Sequence, residues 1–294
     1  MTAAAPVRPG CLVSLRDALP ERTTQWWIVR PRRIFSHPRL GASLIHSVDH
    51  LAERALVERA GRVGYDVRAV ERGLYAITPG GELAVGLGAF DAARIIELLW
   101  ERLLPPRRRV EGRRGVTRVE GRLGRAEVTA AVDASCGVAA WSEGDARLVD
   151  RALAGSHHRV EGDDDTPDEL VRGQITRDDR HASEALGPLT TRTRRVEVVA
   201  SLVDDGVALR ITLRGELSSA DEGALRARVR LATQSPLLRA IGATTWAADH
   251  RVEVHARDQA LDLSLQVPWA GFEALSELLR GRAPASSGQD AQGF

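Results

Sequence analysis

The chain has 294 residues, with 41 basic against 40 acidic side chains, and 43% of it is hydrophobic. A chain of that length buries about three quarters of its unfolded surface, so two modules with ordinary cores fit. No apolar run approaches the roughly 18 residues that a spanning helix needs, and the near-neutral balance gives no global field for nucleic acid. Lysine and asparagine are absent, which excludes a Schiff-base lysine, a P-loop lysine and an N-glycosylation acceptor.

Residues 1–10 read as unstructured. A strand begins at Gln25 and runs through Trp26, Trp27, Ile28 and Val29 before Pro31 limits its pairing. Adjacent Trp26 and Trp27 must point to opposite faces of it. Pro38 suits a first helical turn, and Leu40, Leu44, Ile45, Val48, Leu51 and Ala55 give that helix one apolar face as far as about Ala60. Leu74–Pro79 and Glu82–Phe90 then read as paired strands around Gly80 and Gly81. A helix from Asp91 to Trp100 follows, with Ile95, Ile96, Leu99 and Leu103 as its buried stripe.

Short strands come next at Arg108–Gly112, Val116–Gly121, Glu127–Asp133 and Val138–Ser142, too closely spaced for crossovers and so antiparallel. A helix near Asp145–Ala154 closes the first half. The basic run Arg107, Arg108, Arg109, continued by Arg113 and Arg114, reads as the charged face of an exposed hairpin, because charged edges protect sheets from pairing with other chains.

Between Ser156 and Leu189 the pattern fades. His157 and His158, with Asp163, Asp164, Asp165 and Asp168, read as a solvated linker rather than a cation site, since calcium-loop spacing is missing. Glu169–Arg177 is a candidate strand equivalent to the one at Gln25, with a short helix near His181–Leu186. Arg195–Asp204 and Val207–Leu217 flank a turn at Asp205 and Gly206. In the second of these strands Val207, Leu209, Ile211 and Leu213 alternate with Ala208, Arg210, Thr212 and Arg214, which predicts one buried and one wetter face. Ser219 and Glu222 have capping-box spacing at the start of a helix running to about Ser235. Val252 and Val254 pair with Leu261, Leu263, Leu265 and Val267 across a turn at Asp258 and Gln259. The last helix, Trp269–Arg280, packs through Phe272, Leu275, Leu278 and Leu279.

The order of hairpins and helices is thus stated twice. The predicted fold is α+β, two tandem repeats of antiparallel sheet with helices packed on one face. Its parts are an extended segment over 1–24, a first repeat over 25–155, a polar acidic linker over 156–168, a second repeat over 169–282 and a disordered tail over 283–294.

Chemistry-bearing patterns are sparse. His46 and His50, at i and i+4 on one helix face with Asp49 beside them, resemble the H-x-x-E-H core of the inverted zinc peptidases. The resemblance implies a zinc hydrolase with Asp49 as general base and His46, His50 and Glu127 as ligands. Asp49 replaces that family's glutamate and is one methylene shorter, and neither histidine lies on the apolar stripe, so two solvent-side histidines are the competing reading. Cys136 reads as a buried structural cysteine, and a disulfide with Cys11, the chain's other cysteine, stays open. Gly80-Gly81 and Gly86-x-Gly88 do not precede a helix and form no nucleotide fingerprint.

A longer resemblance begins at Cys11. Asp17-Ala18-Leu19-Pro20, the strand Trp27 to Arg32, Phe35-x-x-Pro38-x-Leu40 and the stretch Gly81 to Asp91 resemble an uncharacterised family of envelope lipoproteins from GC-rich Gram-negative bacteria. The resemblance implies lipidation at Cys11 after Gly10 and no reaction. Arg8 and Pro9 replace the usual small apolar positions and no apolar h-region precedes them, so the expectation divides between a start upstream of Met1 and a cytoplasmic protein. The leading reading is a non-enzymatic binding or scaffolding protein of the envelope or periplasm. It takes no cofactor, binds no nucleic acid, meets the membrane only through Cys11, and uses an exposed sheet face or the cleft between repeats for a protein partner. The alternative is the zinc hydrolase.

Overall fold

The computed structural model describes residues 15–47, 57, 66–112, 115–154, 168–176, 192–235, 239, 252–257 and 259–282. The first half supplies β1 (Gln25–Val29), α1 (Pro31–Ser36), α2 (Pro38–Ser47), β2 (Val70–Thr78), β3 (Gly81–Gly88), α3 (Ala92–Arg102), β4 (Leu104–Glu111), β5 (Val116–Leu123), β6 (Ala126–Asp133), β7 (Val138–Gly144) and α4 (Arg147–Ala154). The second half supplies β8 (Glu169–Thr176), β9 (Thr193–Val203), β10 (Gly206–Gly215), α5 (Ser219–Thr233), β11 (Val252–Arg257), β12 (Ala260–Pro268) and α6 (Trp269–Arg282). All twelve strands lie in one antiparallel sheet of order β11-β12-β10-β9-β8-β1-β2-β3-β7-β6-β5-β4.

Registers fix which side chains share a face, because alternate residues of a strand point to opposite sides. Trp27 lies opposite Tyr75 on β2 and Gly173 on β8. Following those pairings outward puts Ala84, Trp141, Ala130 and Val119 on the same side toward β5, and Val198, Ile211 and Leu263 on it toward β12. This side is the front. Trp26, Ile28, Leu74, Val85, Ala140 and Ala131 point to the back, so the two tryptophans part as strand geometry requires.

Four buried clusters hold elements to these faces. On the front, Ile96 and Leu103 from α3 and its C-terminal end pack on Val119, Val128, Ala130 and Val132. Leu225 of α5 packs on Leu213, Val254 and Leu261, and Leu40 of α2 and Trp269 of α6 pack with Val207. Trp269 also stacks on His37 with ring centroids 4.7 Å apart, and Arg39 of α2 reaches Glu273 of α6 at 2.8 Å. On the back of the first half, Leu148, Val149 and Ala152 of α4, with Leu15 and Ala18 of a short 3-10 turn, pack on Ile28, Leu74, Val85, Ala131 and Ala140.

The placement of α4 corrects the expectation of helices on one face. In β6, Val128, Ala130 and Val132 are buried toward α3 while Ala131 is buried toward α4, so this strand is apolar on both sides and must be covered twice. A second correction concerns α5. Its capping box joins Ser218 and Asp221, not Ser219 and Glu222: the Asp221 carboxylate accepts from Ser218 N and from Ser218 Oγ, each at 2.9 Å. The predicted helix over 181–186 and the part of the second helix beyond Ser47, Val57 apart, lie outside the described residues.

The two halves meet through β1 and β8 alone among the sheet pairings, and Trp27 makes that seam tight. A Cβ at position 173 would fall inside van der Waals contact of Trp27 Cε3, Cζ3 and Cδ2. Gly173→Ala is therefore expected to destabilise the protein by about 1–3 kcal/mol through overpacking. Denaturant titration of a double-mutant cycle checks it: combined with Trp27→Ala, the glycine substitution should cost much less than it does alone. Strictly additive losses would show that the indole is not what excludes a side chain at 173.

Candidate binding face on the back of the second half

The back of the sheet is treated differently in its two halves, and the sequence of each strand says why. Over β3, β7 and β6 the back-facing residues include Leu83, Val85, Val138, Ala140 and Ala131, which require a cover and receive α4. Over β9, β10 and β12 they include Glu197, Val199, Ser201, Ala208, Arg210, Thr212, Asp262, Ser264 and Gln266. Among the described residues no helix packs there. The result is an open concavity of about 920 Å³ spread across β8 to β12.

Its charged groups form a partly satisfied lattice. Glu169 is buried, its side chain 5% exposed, and accepts from Arg172 Nε at 2.9 Å and Nη2 at 2.5 Å. Glu197 lies 3.3 Å from Arg214 Nε and 3.8 Å from Arg195 Nη1. Asp262 accepts from Thr212 Oγ1 at 2.6 Å, and Glu253 meets His255 Nε2 at 3.3 Å on β11. Arg210 sits between these pairs, opposite Val199 on one side and Ser264 on the other. It is exposed and makes no ion pair with a described residue. An exposed guanidinium with Ser201 and Ser264 as neighbours on the same face suits hydrogen bonding to a polar or anionic group.

Other groups singled out by sequence are scattered. Glu127 is exposed on the back of β6, opposite Arg122 of β5. Helix α2, which carries the His46 backbone, packs at the front with α6 and Val207. The His46 side chain, Asp49, His50 and Cys11 lie outside the described residues, as do His157, His158 and Asp163 to Asp165. Among the described residues there is no group of three or more His, Cys, Asp or Glu arranged to hold a metal. Cys136 is disulfide-bonded. Arg107, Arg108 and Arg109 lie on β4, the edge strand of the first half, and Arg107 is engaged locally, 4.4 Å above the Trp100 ring and 2.6 Å from Trp100 O.

Part of the concavity was visible in sequence and part was not. The wet face of β10 follows from alternation, and Arg195, Glu197, Val199, Ser201 on β9 and Asp262, Ser264, Gln266 on β12 carry the same period-two signal. What sequence reasoning missed is that Asp168, assigned to a linker, and the Glu169–Arg172 pair line the same surface.

No protein-family profile matches the chain, and no curated protein matches it in sequence. Solved structures do resemble it. Crystal form III of TP0453 superposes with a TM-score of 0.52 at 10% identity over 89% of this chain and 97% of that one. Crystal form IV gives 0.51 at 9% identity over 90% and 95%, and crystal form I gives 0.50 at 11% over 94% and 100%. At such identities the likeness is one of fold.

The Glu169–Arg172 pair supplies a direct test of how this surface is held. Arg172→Ala leaves a buried carboxylate short of its charged donor and is expected to cost about 2 kcal/mol. Chemical denaturation reads the loss, and adding Glu169→Gln should recover part of it. No loss in the single variant would show that the carboxylate is solvated rather than buried.

Proposed function

We propose that the chain is a non-enzymatic binding or scaffolding protein of the bacterial cell envelope that takes a polar partner on the open back of its second half. The observation that carries this reading is the contrast between the halves: one back face is apolar and covered by α4, whereas the other is polar, uncovered among the described residues and centred on Arg210. Polar sheet faces need no occupant for stability. A concave one with an exposed guanidinium that makes no ion pair with a described residue, flanked by Ser201 and Ser264, is suited to exchanging water for a ligand's hydrogen bonds.

Two tandem repeats are the architecture we propose behind it. Outward from the β1–β8 pair, the order is β1-β2-β3-β7-β6 on one side and β8-β9-β10-β12-β11 on the other. A helix follows the third strand in each direction, α3 and α5, and both cover the front. On this reading β4 and β5 are an additional hairpin of the first repeat. The last helices, α4 and α6, have diverged to opposite faces, and that divergence opened the second back face.

Placement in the envelope is supported by the disulfide at Cys136, since disulfides persist in oxidising compartments. The chain's one other cysteine is Cys11. A sulfur in a disulfide cannot also carry a lipid thioether, so a bridge to Cys11 and lipidation of Cys11 exclude each other within one molecule.

Two measurements test these proposals separately. A photoreactive residue at Thr212 should crosslink a partner in intact cells, while one at Leu231, 72% exposed on α5 at the front, should not; equal yields from both positions would remove the back face as a binding surface. Mass spectrometry of the unreduced protein, fractionated from its native cells, should recover it from the envelope with Cys136 bridged. Recovery from the cytosol with both thiols free would overturn the envelope placement.

A further inference from the structure

Among the described residues β11 is the outer strand of the sheet in the second half, and its outward edge is met by two side chains of α5. Residues at i and i+2 of an edge strand turn their N–H and C=O groups to the same side. Val254 O accepts from Arg226 Nη2 at 2.6 Å, and Ala256 N donates to Glu222 Oε2 at 3.1 Å. Arg226 and Glu222 are also bonded to each other, one helical turn apart, through Nη2 at 2.7 Å and Nε at 3.0 Å. The ion pair thus presents one donor and one acceptor to the edge where a neighbouring strand would present its own. The Arg226 hydrogen bonds hold the Glu222 carboxyl below its ordinary range, with the Ala256 amide adding to the effect against the opposing cost of burial, which keeps the acceptor charged near neutral pH.

The edge beneath the seal is complementary to itself. In an antiparallel pairing of two β11 strands centred on His255, Val254 lies opposite Ala256 of the second copy and Ala256 opposite Val254 of the second copy. The two groups that α5 occupies, Val254 O and Ala256 N, then satisfy each other across the two-fold axis. The same register sets Glu253 opposite Arg257 of the second copy, twice, and cross-strand pairs of opposite charge are favourable. At the other end of the sheet, β4 is protected differently, by Pro105, Pro106 and its arginines.

We propose that the Glu222–Arg226 pair is a seal on a self-complementary strand edge, and that its removal lets two copies of this chain join through β11 into one continuous sheet. The partner is a second copy, not an unrelated chain, because the charged positions of Glu253 to Arg257 match their own reversal about His255, a match the backbone groups alone would not require.

The test is the oligomeric state of the full chain by sedimentation. Wild type should be monomeric, and the Glu222→Ala, Arg226→Ala double variant should self-associate at least about tenfold more tightly. Ala256→Pro added to the double variant should return it to monomer, because proline removes the outward N–H yet is tolerated on an edge strand whose N–H faces away from the sheet. Far-UV circular dichroism and the melting temperature establish that each variant is folded. A folded double variant that stays monomeric overturns the seal. So does a dimer that the proline leaves intact, since its interface would then lie elsewhere, or a wild-type dimer that Ala256→Pro dissolves, since the edge would then be open already.

Discussion

The β1–β8 pairing is the constraint on which the rest of the structure depends. The twelve strands could be built as two separate sheets; one ladder of five register pairs, Gln25 with Ile175 through Val29 with Val171, makes them continuous. Trp27 crosses this ladder and occupies the volume above Gly173. A large ring over a residue with no side chain lets the two backbones keep strand spacing while the indole fills the front surface. The cost is a position at which even a methyl group is crowded.

Continuity of the sheet gives the molecule a front and a back, and the two are loaded unequally. Helices α2, α3, α5 and α6 take the front, where β5 to β7 and β9 to β12 present apolar rows. Among the described residues only α4 and a short 3-10 turn take the back, over the first half. Burial of an apolar row favours cover by roughly 25 cal/mol per Å², while the same burial of Arg210, Glu197 and Asp262 would strip hydration from charges. The sheet therefore closes where its strands are apolar on both sides and, among the described residues, stays open where they alternate.

A long sheet also has ends, and the two ends are managed by different chemistry. At β4 the protection is written into the strand itself, with prolines that lack a donor and arginines that repel another copy. At β11 it is supplied from outside by α5. Glu222 does not enter the capping box at the helix start because Asp221 fills that role; its carboxylate is left to reach the Ala256 amide instead. A local choice between two adjacent acids at one helix terminus thereby settles how a strand residue 34 positions away meets solvent.

Period-two and three-to-four-residue patterns determined the elements. The alternation of Val207 to Arg214, the pairing of Val252 and Val254 with Leu265 and Leu263, the helix after Asp91 and the divergence of Trp26 from Trp27 all follow from backbone geometry and local hydrophobicity, which act within a few residues. What the tertiary structure alone decided is how those elements share faces and neighbours. Ala131 shows the limit, for a small apolar residue between Ala130 and Val132 does not announce that a helix will cover it from the far side. Glu169 and Arg172 show it again: a carboxylate and a guanidinium three positions apart look like a solvated strand end until β9 and β10 bring their polar rows alongside. The seal on β11 was likewise beyond reach, because a hydrogen bond between a helix side chain and a strand backbone depends on the path of the chain between them, and that path is set by packing rather than by either sequence.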